Sequence, residues 1–421
     1  MSRFLVCLLI LIMTSTAHSK PVKSTVILLS IDGFAYDYLT KFKPKHILNF
    51  GKSGVKAKLL SVYPSKTFPN HLSIITGVYP AKHGIIHNRF YHPGLKEKYS
   101  LGAGKNNSLW LTAKPFWSFA EENNILSAVY FWPESEAIGK NKQASFNIAY
   151  NRTDSEKARF DQIINWLKLP TSQAPHFIAS YFSSVDAMGH KFGPNSVELK
   201  NAVADIDKLF GYFISRLKKE ITFDVNIILV SDHGMMQINE SSKVDLAKVF
   251  NEQLTQWISD NSIVVAQSST QLFLYLDDSK LSKDQKNSIF KSLIKQKKEN
   301  QSLYSVYRKN QYPEHWQLNK DLAIIPDIII EIAPNGYFNN TKTSITSAAT
   351  HGYDVINQPA LTAIFLASGP DIIKGRKLNA FENIHIVPLM SQLLGLPQRQ
   401  DIDGKRSVLQ PIIKTNCITS K

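Results

Sequence analysis

The stretch Ser24-Thr-Val-Ile-Leu-Leu-Ser-Ile-Asp-Gly33 decides how the rest of the chain reads. From Ser24 to Ser30 it is dominated by β-branched and aliphatic residues, without the apolar–polar alternation of a strand that keeps one face in water. A continuous run of this kind marks a strand covered on both faces, as in a parallel sheet flanked by helices. Asp32-Gly33 follows at once, so an acidic side chain is placed where such a strand ends.

Working outward, similar runs occur at Leu126 to Trp132, His176 to Ser183, Val225 to Val230 and Leu361 to Ala367. Helical spacing falls between them, around Pro44 to Ser53, Trp110 to Asn124, Thr153 to Leu167 and Ser196 to Lys219. In the last of these, Val203, Ile206, Phe210, Phe213 and Leu217 recur at three- and four-residue steps, which makes one apolar face. Alternating strands and helices predict an α/β fold: a doubly wound, mostly parallel sheet with helices on both faces. Sites in such sheets form at the carboxyl ends of the strands.

The rhythm changes between residues 236 and 346. Short strands are expected in Ser262 to Leu276 and at Ile324 to Ile332, with a lysine-rich helix from Ser282 to Glu299 between them. This segment reads as a smaller α+β subdomain inserted within one catalytic domain, residues 20–421, because the strand pattern of the main sheet resumes after it. The length of 421 residues is compatible with that arrangement.

Composition is that of an ordinary globular protein, 43% hydrophobic and 20% charged. Residues 1–19 read as a secretory signal: Arg3, then the apolar core Phe4 to Met13, then Ala17-His18-Ser19 with small residues at the cleavage positions. That core is too short to span a bilayer, and no later stretch is apolar enough to do so. Of two cysteines, Cys7 falls in the signal and leaves Cys417 alone. An exported chain without an internal disulfide points to a bacterial periplasmic or secreted protein. The net charge of +15 favours anionic partners, although scattered lysines also describe a solvated surface. No nucleic-acid-binding module and no obligate protein partner are evident.

Chemistry concentrates around Ser61-Val-Tyr-Pro-Ser-Lys-Thr-Phe-Pro-Asn-His71, where Pro64 and Pro69 bracket the hydroxyl of Thr67 in a loop, with a helix expected from His71. Four signatures accompany it: Asp32, Asp186-Ala-Met-Gly-His190, Asp232-His233 and His351-Gly-Tyr-Asp354. Each alone is weak, since Asp-Gly and His-Gly are ordinary turn or cap sequences. Together, at strand ends, they form a set of carboxylates and imidazoles suited to Zn²⁺ or another divalent ion. Two ions about 4 Å apart can clamp both the attacking and the leaving oxygen of a displacement at phosphorus. Thr67 is then the natural nucleophile.

These stretches, with Thr76-Gly-Val-Tyr-Pro80, His83-Gly-Ile-Ile-His-Asn88 and Phe131-Trp-Pro-Glu-Ser-Glu136, resemble the nucleotide pyrophosphatase/phosphodiesterase family of the alkaline phosphatase superfamily, in the same order and over most of the chain. The resemblance implies two zinc ions, one held by Asp32, Asp232, His233 and Thr67, the other by Asp186, His190 and His351. It implies Thr67 as the nucleophile and Asn88 as a donor to a phosphate oxygen. Phe68 and Tyr181 stand where aromatics grip a nucleotide base. The implied activity is cleavage of phosphodiester or phosphoanhydride bonds in a small nucleotide substrate. A phospholipid or choline phosphodiesterase on the same scaffold is the alternative, followed by a phosphomonoesterase and a metal-stabilised binding protein. Ala35, Ser183-Ser184-Val185 and Glu134 depart from common family residues without touching a proposed ligand.

Overall fold

The computed structural model describes residues 24–139, 143–339 and 347–414; the expected signal segment and Cys417 lie outside them. In chain order the main elements are β1 (Thr25–Ile31), α1 (Lys45–Ser53), β2 (Val55–Leu60), α2 (Thr67–Thr76), β3 (Ser127–Tyr130), β4 (Phe146–Ile148), α3 (Glu156–Leu167), β5 (Phe177–Phe182), α4 (Ser184–Phe192), α5 (Val197–Glu220) and β6 (Val225–Val230). They continue with β7 (Ile263–Gln267), β8 (Gln271–Leu276), α6 (Lys283–Glu299), β9 (Tyr304–Arg308), β10 (Ile328–Ile332), β11 (Ala363–Ser368) and α7 (Ile386–Leu393).

β1 is central in the main sheet, and all its residues are buried. The spatial order is β2-β11-β6-β1-β5-β3-β4, with Arg376–Lys377 and Phe381–Glu382 pairing on the outer edge of β2. β6, β1, β5, β3 and β4 run parallel, whereas β11 is antiparallel to both its neighbours. The absence of alternation in β1 now has its cause. Val26 and Leu28 pack with Leu72 and Ile75 of α2 and Leu389 of α7. Ile27, Leu29 and Ile31 pack against Ile47 of α1, Phe160 of α3 and Phe210 of α5 on the other face. β2, nearer the edge, alternates: Val55, Ala57 and Leu59 are buried while Lys56 and Lys58 are not. The expected α/β architecture is the one observed.

Three local expectations are corrected. Thr67 does not sit in a loop ahead of a helix at His71; it is the first residue of α2. Pro69 is compatible with that first turn because its missing N–H would have had no intrahelical partner there. The helix expected over 110–124 is confined to Phe116–Glu122, entered through Pro115 in extended geometry. The strand expected over 324–332 begins only at Ile328, beyond Pro326.

Within the 236–346 segment, β7, β8, β10 and β9 form an antiparallel sheet in that order. Leu272, Leu274, Ile328 and Ile330 pack with Ile289 and Leu293 of α6. Phe273, Tyr275 and Ile329 face the other way and join the apolar cluster of the main domain. The second sheet is therefore anchored to the main body through a shared core, next to the carboxyl edge of the main sheet.

Buried Asp207 of α5 binds two amides of the first turn of α1, His46 N–H at 3.2 Å and Ile47 N–H at 2.8 Å. Those amides have no intrahelical acceptor. Asp207→Ala should cost about 1–3 kcal/mol of stability. The expected reading is a lower urea midpoint with unchanged slope and unchanged turnover per folded molecule.

Candidate active site

The ends of the parallel strands deliver the site. β1 runs into Asp32, and β6 runs into Asp232 and His233. β5 runs into α4, whose first turns carry Asp186 and His190 on one face, four residues apart. Gly33, with φ +68°, lets the end of β1 lie against Asp186: a Cβ there would stand 2.9 Å from the Asp186 Cα. His351 follows the short strand Ala349–Thr350, which pairs with Met236–Gln237. Thr67 opens α2, where the free amides and dipole of a helix N-terminus favour an anion.

These side chains converge. His233 Nε2 is 2.9 Å from Asp232 Oδ2, 3.4 Å from Asp32 Oδ1 and 3.3 Å from Thr67 Oγ1. His190 Nε2 and His351 Nε2 are 3.1 Å apart, and Asp186 Oδ1 is 3.5 Å from the first and 3.8 Å from the second. The His233 and His351 rings stack at 3.4 Å, so the two groups of ligands are contiguous. Two clusters can each gather around one ion, Asp186 with His190 and His351, and Asp32 with Asp186 and His233. Asp186 thus reaches both groups, and Asp232 approaches through His233 and not as a member of either trio.

The donor set fits divalent cations. Each histidine gives its Nδ1–H to a backbone carbonyl: His190 to Ala349, His351 to Ser65 and His233 to Gly234. This fixes the tautomer and leaves an Nε2 lone pair directed into the site. Among buried side-chain oxygens, Asp32 Oδ1, Asp186 Oδ1 and Asp232 Oδ2 have no hydrogen-bond partner. Burial, followed by the charges of Asp232 and Asp186, pushes the Asp32 carboxyl above the usual carboxylate range. Lone pairs and carboxylates packed this closely repel one another unless cations lie among them.

Around this centre, Asn88 Oδ1 accepts the Phe68 N–H at 3.0 Å, which orients the Asn88 amide group beside Thr67. Phe68 itself is buried and meets Tyr99 edge-on at 6.4 Å. Tyr181 is buried too, and its hydroxyl donates to Asp32 Oδ2 at 2.5 Å, so it holds a carboxylate in place. Its ring adjoins Phe131 at 5.1 Å, and Phe131 adjoins Tyr150 at 4.2 Å. Tyr150 is 41% exposed, which makes it the accessible aromatic of this group. Asp354 lies apart from the ligands and binds His315 and the Trp316 N–H, each at 2.7 Å.

Two supporting residues escaped the sequence reading. His71 gives its Nδ1–H to the Thr67 carbonyl at 2.9 Å, and the same nitrogen lies 3.3 Å from Asp232 Oδ2, which sets the first turn of α2 against a carboxylate of the site. Buried Lys66 donates to the His351 carbonyl at 2.5 Å, and burial pulls its ammonium down to about 8. Adjacency to Thr67 was the signal available for both.

The chain is similar to known proteins over most of its length. A profile of the type I phosphodiesterase / nucleotide pyrophosphatase family matches residues 26–354. An uncharacterized pyrophosphatase/phosphodiesterase of Schizosaccharomyces pombe is 31% identical over 390 residues, 89% of this chain and 78% of its own. The bis(5'-adenosyl)-triphosphatase enpp4 of Xenopus laevis is 30% identical over 374 residues, 88% of this chain and 78% of its own. The venom phosphodiesterase of Naja atra is 30% identical across 93% of this chain but only 46% of its own length. The structure of murine ectonucleotide pyrophosphatase / phosphodiesterase 5 matches with a TM-score of 0.82 at 25% identity, covering 93% of this chain and 100% of that one. The chain therefore belongs to the type I phosphodiesterase/nucleotide pyrophosphatase family, hydrolases of phosphodiester and pyrophosphate bonds.

Proposed function

We propose that this protein is an exported, zinc-dependent nucleotide phosphodiesterase and pyrophosphatase that works through a covalent intermediate on Thr67. The observation that carries the reading is the Thr67 hydroxyl, 3.3 Å from His233 Nε2, at a helix N-terminus beside three unpartnered carboxylate oxygens. Asp32, Asp232, His233 and Thr67 would hold one ion, and Asp186, His190 and His351 the other. Three imidazoles in the set favour zinc over magnesium. When bound, such ions supply a lowered pKa at the Thr67 hydroxyl and at water, and neutralise charge on the phosphate.

Thr67 Oγ1 gives up its proton and attacks phosphorus; the Oγ1–P bond forms as the bond to the leaving oxygen breaks, and that oxygen takes up a proton. Water then attacks the same phosphorus, the Oγ1–P bond breaks, Thr67 regains its proton and a phosphomonoester leaves. For a nucleotide substrate that product is a nucleoside monophosphate. Asn88, oriented by the Phe68 amide, offers its Nδ2 donors to a phosphate oxygen, and the Thr67 amide is a second donor. Fixed donors of this kind stabilise charge that develops in the transition state. Phe68, which follows Thr67, and Tyr181, whose ring adjoins Phe131, are the aromatics assigned to the base. Phe131 and Tyr150 extend this group outward and provide the accessible ring for a base.

The name of the Xenopus relative, a bis(5'-adenosyl)-triphosphatase, supports a nucleotide anhydride as substrate. Venom phosphodiesterases among the relatives support export, and no helix among the described residues is long and apolar enough to cross a membrane.

Turnover of p-nitrophenyl thymidine monophosphate and ATP should exceed that of lysophosphatidylcholine and p-nitrophenyl phosphate; preference for the lysolipid would overturn the nucleotide assignment. Chelation should abolish turnover and added zinc restore it, whereas activity in metal-free protein would exclude the two-ion scheme. Thr67→Ala should lose at least about 10³-fold in kcat while Asp186, His190 and His351 keep their ion, read by metal analysis.

A further inference from the structure

The inserted sheet places two polar side chains beneath the catalytic loops. Gln271 of β8 and Glu331 of β10 are cross-strand partners, and both are buried, at 1% and 7% exposure. They bind each other, Gln271 Nε2 to Glu331 Oε2, at 2.8 Å. Glu331 Oε2 also accepts the Tyr63 hydroxyl at 2.6 Å, and its Oε1 accepts the Asp354 N–H at 3.1 Å. Tyr63 lies four residues before Thr67, and Asp354 three residues after His351. Gln271 Nε2 donates as well to the Gly352 carbonyl, at 2.5 Å, next to His351. Its Oε1 accepts from His87 Nε2 at 3.2 Å, one residue before Asn88. The His87 tautomer follows from its other nitrogen, which accepts the Arg89 N–H at 2.9 Å.

We infer that Gln271 and Glu331 are positioning residues for the catalytic centre, setting the relative placement of Thr67, Asn88 and His351. The inference rests on the proposed function for the roles of those three residues. Neither Gln271 nor Glu331 touches the substrate or a metal ligand's side chain in this arrangement; they act through Tyr63, His87, Gly352 and Asp354. An apolar pair would have filled the same sheet position more cheaply, since a buried carboxylate and amide must find a partner for each polar group. Here those partners are backbone and side-chain groups of three loops that are far apart in sequence. The inserted segment is on this account a structural part of the active centre and not a decoration beside it.

The test compares wild type with Gln271→Leu, Glu331→Gln and the exchanged double variant Q271E/E331Q, each as the full chain and each checked for folding by circular dichroism and thermal melting. Two readouts are taken: zinc affinity of the metal-free protein by titration, and kcat and KM on p-nitrophenyl thymidine monophosphate. The single variants should bind the more weakly held zinc at least tenfold less tightly and lose at least tenfold in kcat, with KM changed less than threefold. Excess zinc should restore part of the lost kcat. The exchanged variant, which keeps one carboxylate and one amide across the strands, should recover at least half of the lost zinc affinity on a logarithmic scale. Folded single variants with zinc affinity and kcat within twofold of wild type would overturn the inference. A wild type that binds zinc but leaves the nucleotide ester intact would instead overturn the proposed function, while the zinc titrations would still decide the positioning role.

Discussion

The structure depends on the seam between the segment that leads into Thr67 and the segment that carries His351. His351 Nδ1 donates to the Ser65 carbonyl at 2.7 Å, and the Gly352 N–H donates to Ser65 Oγ at 3.0 Å. Ser65 Oγ in turn donates to the Tyr353 carbonyl at 2.8 Å, and Lys66 Nζ reaches the His351 carbonyl. Two segments almost 300 residues apart in sequence are thereby fixed side by side, with |i−j| of 286 at the His351 contact. Only glycine permits it at 352: φ there is +117°, and a Cβ would stand 2.2 Å from Lys66 Cε. Each buried hydrogen bond contributes about 1 kcal/mol net, but losing one partner costs more, because the other is left unsatisfied out of water. The seam is therefore stable only when complete, which gives Thr67 and His351 a defined separation.

That rigidity answers an electrostatic problem. The main sheet directs carboxylates and imidazole lone pairs from three strand ends into one volume, and nothing in the apolar layers can neutralise them. A flexible site would relieve the crowding by turning side chains outward. Here backbone carbonyls hold the three imidazoles, Tyr181 holds Asp32, and the Gly33 N–H holds Asp232. The fold's stability, derived from two apolar layers on β1, sustains a polar arrangement that becomes favourable with cations and an anionic substrate in place. Beneath it, burial pushes the Glu331 carboxyl up to about 8 and pulls the Lys66 ammonium down to about 8.

Sequence made much of this legible. Strands covered on both faces are unbroken apolar runs, so β1, β5 and β6 could be read directly, and the residues after them followed as site candidates. The regular amphipathic period of α5 was equally plain. Helix entry at Thr67 was hidden because prolines signal a break, although they are tolerated in a first turn. The edge aromatics were harder: Tyr181 is in a strand, and nothing in its neighbours says that its hydroxyl is tied to Asp32, whereas Tyr150 lies on an irregular segment with no periodic signal. The roles of His71, Gln271 and Glu331 depend on contacts between distant segments. Their local sequences describe only a helix and two antiparallel strands.

The stereochemical course of the reaction at phosphorus tests the proposed Thr67 intermediate most directly. A nucleotide diester made chiral with sulfur, cleaved by the zinc-loaded protein in isotopically labelled water, reports whether one or two displacements occur. Each in-line displacement inverts the centre. Attack by Thr67 followed by attack of water predicts overall retention. Inversion would contradict the account, because it would mean that water attacks the substrate directly and that Thr67 never bonds to phosphorus.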